Sequence, residues 1–149
     1  MALAGIMSGF IKEVTMPVKI PSELQEFLKG KQGWVATAAR DGTPNVSIKG
    51  SLRLIDDEHL IFSDIFSLKT RKNLQENPKG CLFLWGPETK GCLKLKLKVI
   101  VHTSGQDFEK MKEMVKAKRA ELVCKALLEC KIVGVFNCKS GPTAGDKLL

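Results

Sequence analysis

Residues 93–99 read LKLKLKV, an unbroken alternation of apolar and cationic side chains. A period of two fits a strand with one face in a core and the other in water. No helix could place Leu93, Leu95, Leu97 and Val99 on one side and Lys94, Lys96 and Lys98 on the other. One-sided burial belongs to antiparallel sheets, since parallel sheets are covered on both faces. The chain is therefore expected to be built around an antiparallel sheet.

The neighbouring segments agree. GWVATAA (33–39) reads as a strand ended by the turn RDGT, and TPNVSIKGSLRLI (43–55) as one long strand, with Gly50 marking a bulge or close backbone approach. HLIFSD follows a tight acidic turn, and KGCLFLWG (79–86) and KIVGVFNCK (131–139) complete the strands. Helices are expected at PSELQEFLKG (21–30), at 67–76 up to Asn77-Pro78, and across QDFEKMKEMVKAKRAELVCKALLECK. In the last, Phe108, Met111, Val115 and Leu122 mark one face. Strands joined mostly by tight turns do not form a βαβ series, so the fold class is mainly β: a small β-barrel with flanking helices. The 149 residues suit one domain. Residues 1–20 read as a packing segment without the basic region of a signal peptide, and 140–149 as a loose tail.

Five cysteines without a CxxC read as reduced thiols of a cytoplasmic protein, and two histidines give no zinc pattern. No apolar run is long enough to cross a bilayer, so a membrane partner is not expected. The net charge of +8 favours anionic partners. Nucleic acid is set aside: such surfaces usually interleave aromatics with the cations, whereas this chain has no Tyr and its two Trp, in GWVAT and FLWG, read as core or interface, and the lysine row suits a solvated face that discourages edge-to-edge pairing.

The stretch HLIFSDIFSLKTRKNL (59–74) carries the functional signal. Ser67 stands at the N-cap position, and Lys69, Arg71 and Lys72 follow in the first turn. The helix start is itself partially positive, so cations there are unfavourable unless an anion is present. Thr70 adds a hydroxyl, Asn73 lies one turn on, Ser63 and Asp64 end the preceding strand, and Lys49 can reach in from the neighbouring strand. Two readings fit: a phosphate pocket at a barrel rim, or lysines that fan into water.

The run GWVATAARDGTPNVSIKGSLRLIDDEHLIFSD, followed by SLKTRKNLQENPKGCLFLW, resembles the pyridoxamine 5′-phosphate oxidase-like family, the FMN-binding split barrels, over about residues 30–138. The resemblance implies a six-stranded antiparallel split barrel, a homodimer, and FMN bound between subunits. It implies that Ser47, Ile48, Lys49 and Gly50 line the flavin and ribityl chain, and that Ser63 and Asp64 pass the ring. It further implies that Leu68, Lys69, Thr70 and Asn73 surround the phosphate. The chain departs from the pattern in having Lys-Thr where Arg-Lys is common, and in ending VFNCKSGPTAGDKLL without the Arg and His that grip the vitamin substrate. The implied activity is therefore a short FMN-dependent oxidoreductase with a small-molecule electron donor or acceptor. The alternative is an FMN electron-transfer or flavin-binding module without turnover. Deazaflavin and haem remain as other ligands of such barrels.

Overall fold

The computed structural model describes residues 18–86 and 91–149. The expected N-terminal packing segment lies, up to residue 17, outside the described residues. Three helices, α1 (Ser22–Leu28), α2 (Leu68–Glu76) and α3 (Gln106–Lys118), flank seven strands. The strands are β1 (Gly33–Ala38), β2 (Pro44–Lys49), β3 (Arg53–Leu54), β4 (His59–Asp64), β5 (Lys79–Gly86), β6 (Gly91–His102) and β7 (Ala126–Asn137). They form one antiparallel sheet in the order β2-β1-β5-β6-β7-β4-β3.

This is the expected mainly β split barrel with flanking helices, with seven strands where six were expected. The difference arises at Gly50. The segment read as one strand over 43–55 breaks there, and β2 and β3 pair at opposite edges of the sheet. Only residues 50–52 join those edges. Four Cα steps span at most about 14 Å, so the sheet must curl until its edges nearly meet. A polar seam closes the gap between them.

β6 behaves as its alternation predicts. Leu95, Leu97 and Val99 are buried with Leu60, Phe62, Leu82, Leu84 and Ile132 in the barrel core, while Lys96 and Lys98 are exposed. Burying each such side chain stabilises the fold by about 1.5–3 kcal/mol. The helix read from 106 onward stops at Lys118, because Arg119 turns extended. Residues 126–130, expected to be helical, instead begin β7. Both faces of this stretch are covered: Leu128 and Cys130 join the barrel core, and Leu127 packs with Phe108, Met111 and Val115 of α3. A strand buried on both faces loses the alternation that would identify it.

The tail 140–149 is exposed throughout, yet it folds back along β7. Phe136 bridges Lys147, and the Val135 and Leu149 backbones exchange hydrogen bonds, with Val135 N–H donating at 3.0 Å. The five cysteines carry free thiols, and Cys124 and Cys130 are buried. Among the described residues no helix is long and apolar enough to cross a membrane, and no three His, Cys, Asp or Glu side chains are grouped to hold a metal.

Candidate functional site

The site is built on the seam. Asp64 ends β4 fully buried, at 0% exposure, and its carboxylate organises the surroundings. Lys49 at the end of β2 donates to Oδ1 at 3.2 Å, and Arg71 of α2 donates to Oδ2 at 3.1 Å. The Ser67 N–H donates to Oδ1 at 3.2 Å, and the Ser67 hydroxyl also donates to Oδ1. Lys49 Nζ also donates to Ser67 Oγ. Ser51, in the link between β2 and β3, accepts the Ser63 N–H at 2.9 Å and the Ser63 hydroxyl at 2.8 Å. These bonds tie β2, the 50–52 link, β4 and the start of α2 into one unit.

A second polar layer lies under α2. Thr70 Oγ1 pairs with Ser47 Oγ at 2.7 Å and accepts from Asn45 at 3.0 Å. Thr37 Oγ1 accepts from Asn73 at 3.2 Å and from Asn45 at 3.3 Å. Asn45 and Ser47 reach this layer because alternate residues of β2 point inward, leaving Val46 and Ile48 outside.

Two clefts border these layers. One, of about 620 Å³, opens at the seam and includes Ser47, Ile48, Lys49, Gly50, Ser63 and Ser67. The other, of about 510 Å³, lies beside α2 and includes Lys69, Lys72, Asn73 and Thr43. The structure thus gathers Ser47, Ile48, Lys49, Gly50 and Ser63 around one opening, and Lys69 and Asn73 around the next. Asp64 and Thr70 lie behind the walls, holding the lining side chains in place. Leu68 is exposed and lines neither cleft.

The three cations of the first turn of α2 separate. Arg71 turns inward to Asp64, while Lys69 and Lys72 stay exposed. Lys49 reaches in as expected, but only 5% exposed and already paired with Asp64. It therefore meets the cleft as half of an ion pair rather than as a free cation.

Sequence reasoning missed Gln32, Ser51, Ile65, Phe66 and Arg119 on the seam cleft. Arg119 arrives from the end of α3, far away in sequence, and no local spacing signals it. Ser51 follows Gly50 directly, so the glycine was the available clue. Among the described residues, no carboxylate and no histidine line this cleft. His59 pairs with Asp56 at 3.0 Å, and His102 with Glu129 at 2.6 Å, both away from the clefts. Cys124 packs near Asp64, where burial and that carboxylate push its thiol up, so it stays protonated at neutral pH.

The seam cleft has the size of a small-molecule site, in the range of roughly 300–1,000 Å³. Its apolar side chains (Ile48, Ile65, Phe66) suit a flat ring system, and its hydroxyls suit a polyol or a ring's polar edge. At Gly50 an added Cβ would meet nothing within 4 Å, so the backbone there is open to close approach. The residues present fit a flavin.

Known proteins share the fold. A family model described as pyridoxamine 5′-phosphate oxidase matches residues 20–138. An uncharacterized protein of Methanocaldococcus jannaschii is 32% identical over 134 residues, which cover 86% of this chain and 87% of that one. The solved structure of HupZ from Group A Streptococcus superposes with a TM-score of 0.72 at 28% identity, over 85% of this chain and 99% of that one. An FMN-binding protein of Syntrophomonas wolfei shares the fold, with a TM-score of 0.63 at 20% identity, over 76% of this chain and 80% of that one.

Proposed function

This chain belongs to the pyridoxamine 5′-phosphate oxidase family, and from that premise we propose that its seam cleft holds FMN and that the protein is an oxidoreductase. The observation that carries the reading is the composition of the cleft: its described residues supply apolar side chains, serine hydroxyls, two cations and no carboxylate, and it opens at a glycine. Bound FMN would supply hydride or electron transfer.

The chain's own residues divide the work of binding. Ile48, Ile65 and Phe66 exclude water from the ring, and Ser47, Ser51 and Ser63 offer hydrogen bonds to its polar edge and the ribityl chain. Lys69, exposed in the first turn of α2, receives the phosphate where the adjoining cleft begins, while the Ser67 N–H at the helix start is already taken by Asp64. Asp64 holds Lys49 and Arg71 and so fixes the walls without touching the ligand.

The mouth of the cleft carries two exposed large hydrophobics, Ile48 and Phe66, the latter at 81%, and Val46 and Leu68, two residues along the chain from Ile48 and Phe66 respectively, are exposed as well. Such a patch beside a ligand cleft supports a homodimer with the cofactor at the subunit interface.

The phosphate assignment is tested by comparing FMN with riboflavin, which lacks the phosphate. Wild type is expected to prefer FMN, and Lys69→Ala to reduce that preference by about tenfold, or about 1.4 kcal/mol. An unchanged preference would move the phosphate away from α2. A second reading, an FMN carrier without turnover, is favoured by a cleft whose described residues include no histidine and no carboxylate. Bleaching of the bound flavin by reduced nicotinamide nucleotide would decide for the enzyme.

A further inference from the structure

The register of β5, β6 and β7 assembles a surface that the linear sequence hides. Lys79 of β5 lies directly opposite Lys98 of β6, and Lys98 directly opposite Lys131 of β7. Directly opposed residues of an antiparallel pair share a face, with Cβ atoms about 4.5–5.5 Å apart. Three exposed lysines therefore stand in one row across three strands. Two residues along β6, Lys96 is flanked by Cys81 and Gly134. Two further on, Lys94 is flanked by Phe83 and Phe136, with its Nζ 5.8 Å from the Phe136 ring centroid. Trp85 follows on the same face, 55% exposed.

Like charges directly opposite one another destabilise a sheet. Among the described residues, no carboxylate pairs with Lys79, Lys96, Lys98 or Lys131. Glu129, the nearest acid along β7, is taken by His102 at 2.6 Å. Guarding an edge against aggregation does not explain the row, because β5, β6 and β7 are the three middle strands of the seven. A groove of about 700 Å³ borders the β5 end of the row, lined in part by Lys79, Lys96 and Lys98.

We propose that this face is a polyanion site separate from the seam cleft, and that its ligand is single-stranded nucleic acid. The lysines repeat every second residue of β6, about 6.8 Å apart, and meet successive phosphates. Phe83, Phe136 and Trp85 offer ring faces beside them. Unpaired bases stack on such rings without sequence preference, whereas the bases of a duplex cannot reach them. The aromatics seemed absent from the lysine row because they are neighbours across strands, not along the chain.

The test is fluorescence anisotropy with a labelled oligothymidylate of about 15 nucleotides, a length that spans a site of this kind. Phosphate contacts by Lys79, Lys96, Lys98 and Lys131, at a slope of about −0.7 each, predict a loss of about 50-fold in affinity between about 50 and 200 mM salt. Lys79→Gln/Lys98→Gln/Lys131→Gln is expected to weaken binding at least tenfold and to flatten the salt slope. It should melt no lower than wild type, since it removes repulsion. Lys110→Gln/Lys112→Gln/Lys116→Gln makes the same change in net charge on α3 and is expected to leave binding within threefold. Phe83→Ala/Phe136→Ala is expected to weaken binding about tenfold with the slope retained. Equal losses in the two lysine triples would reduce the effect to net charge and overturn the proposal. So would the absence of binding at low salt, or binding to vesicles of anionic lipid without binding to the oligonucleotide.

Discussion

Asp64→Ala is expected to cost about 3–5 kcal/mol of folding stability, which for a chain of this size lowers the melting temperature by about 10–15 °C. Asp64 is fully buried and is the shared acceptor for Lys49, Arg71 and Ser67. Removing it leaves one ammonium at 5% exposure, and a guanidinium beside it, without a counter-charge. The cost comes from that desolvated charge more than from the lost attraction. A paired variant distinguishes the two, since Asp64→Leu combined with Lys49→Met removes the carboxylate and the more deeply buried of its two cations, leaving only Arg71, at 19% side-chain exposure, unpaired. It should recover part of the loss, because well-packed apolar replacements of buried ion pairs are often neutral or stabilising. Urea unfolding of the single and double variants checks this. A loss below about 1 kcal/mol in Asp64→Ala would mean the seam is held by something else.

Gly50→Trp is expected to reduce FMN affinity at least about 100-fold, or about 2.7 kcal/mol, while leaving the fold intact. Gly50 is exposed, its φ lies outside the left-handed region, and a Cβ there meets nothing within 4 Å. The backbone therefore accepts a side chain, and an indole would occupy the opening where Ser47, Ile48, Ser63 and Phe66 converge. Gly50→Ala adds one methyl to the same open space and should bind nearly as wild type does. Calorimetric FMN titration of both variants checks the pair. Unchanged FMN binding by a folded Gly50→Trp protein would place the flavin outside the seam.

The two variants act on opposite sides of one wall, and that wall explains how much of the molecule was legible. β6 announced itself because only one of its faces is buried, which preserves the period of two. The start of β7 did not. Leu127 faces α3 while Leu128 and Cys130 face the barrel core, so ALLEC reads as an apolar run that fits a helix equally well. Gly50 was legible as a special position, but not as the point where the chain leaves one sheet edge for the other. That depends on pairings formed by β3 with β4 and β2 with β1.

The candidate site shows the same division. The cations after Ser67 pointed to α2, and Lys69 does face a cleft there. The sequence could not say that Arg71 would turn inward, that Thr70 would bond to Ser47 and Asn45, or that Arg119 would reach the seam from α3. Those outcomes depend on the curl that brings the sheet edges together. Local spacing carries the chemistry of a strand or a cap, while long-range register decides which polar groups hold the structure and which remain open to a ligand.

The central claim is that the seam cleft retains FMN. The most direct measurement is the absorption spectrum of the purified protein after incubation with FMN and removal of the unbound flavin on a desalting column. A flavin band is expected to stay with the protein in about one equivalent per chain and to be missing from Gly50→Trp treated in the same way. A colourless wild-type protein, folded and at full concentration, would contradict the claim.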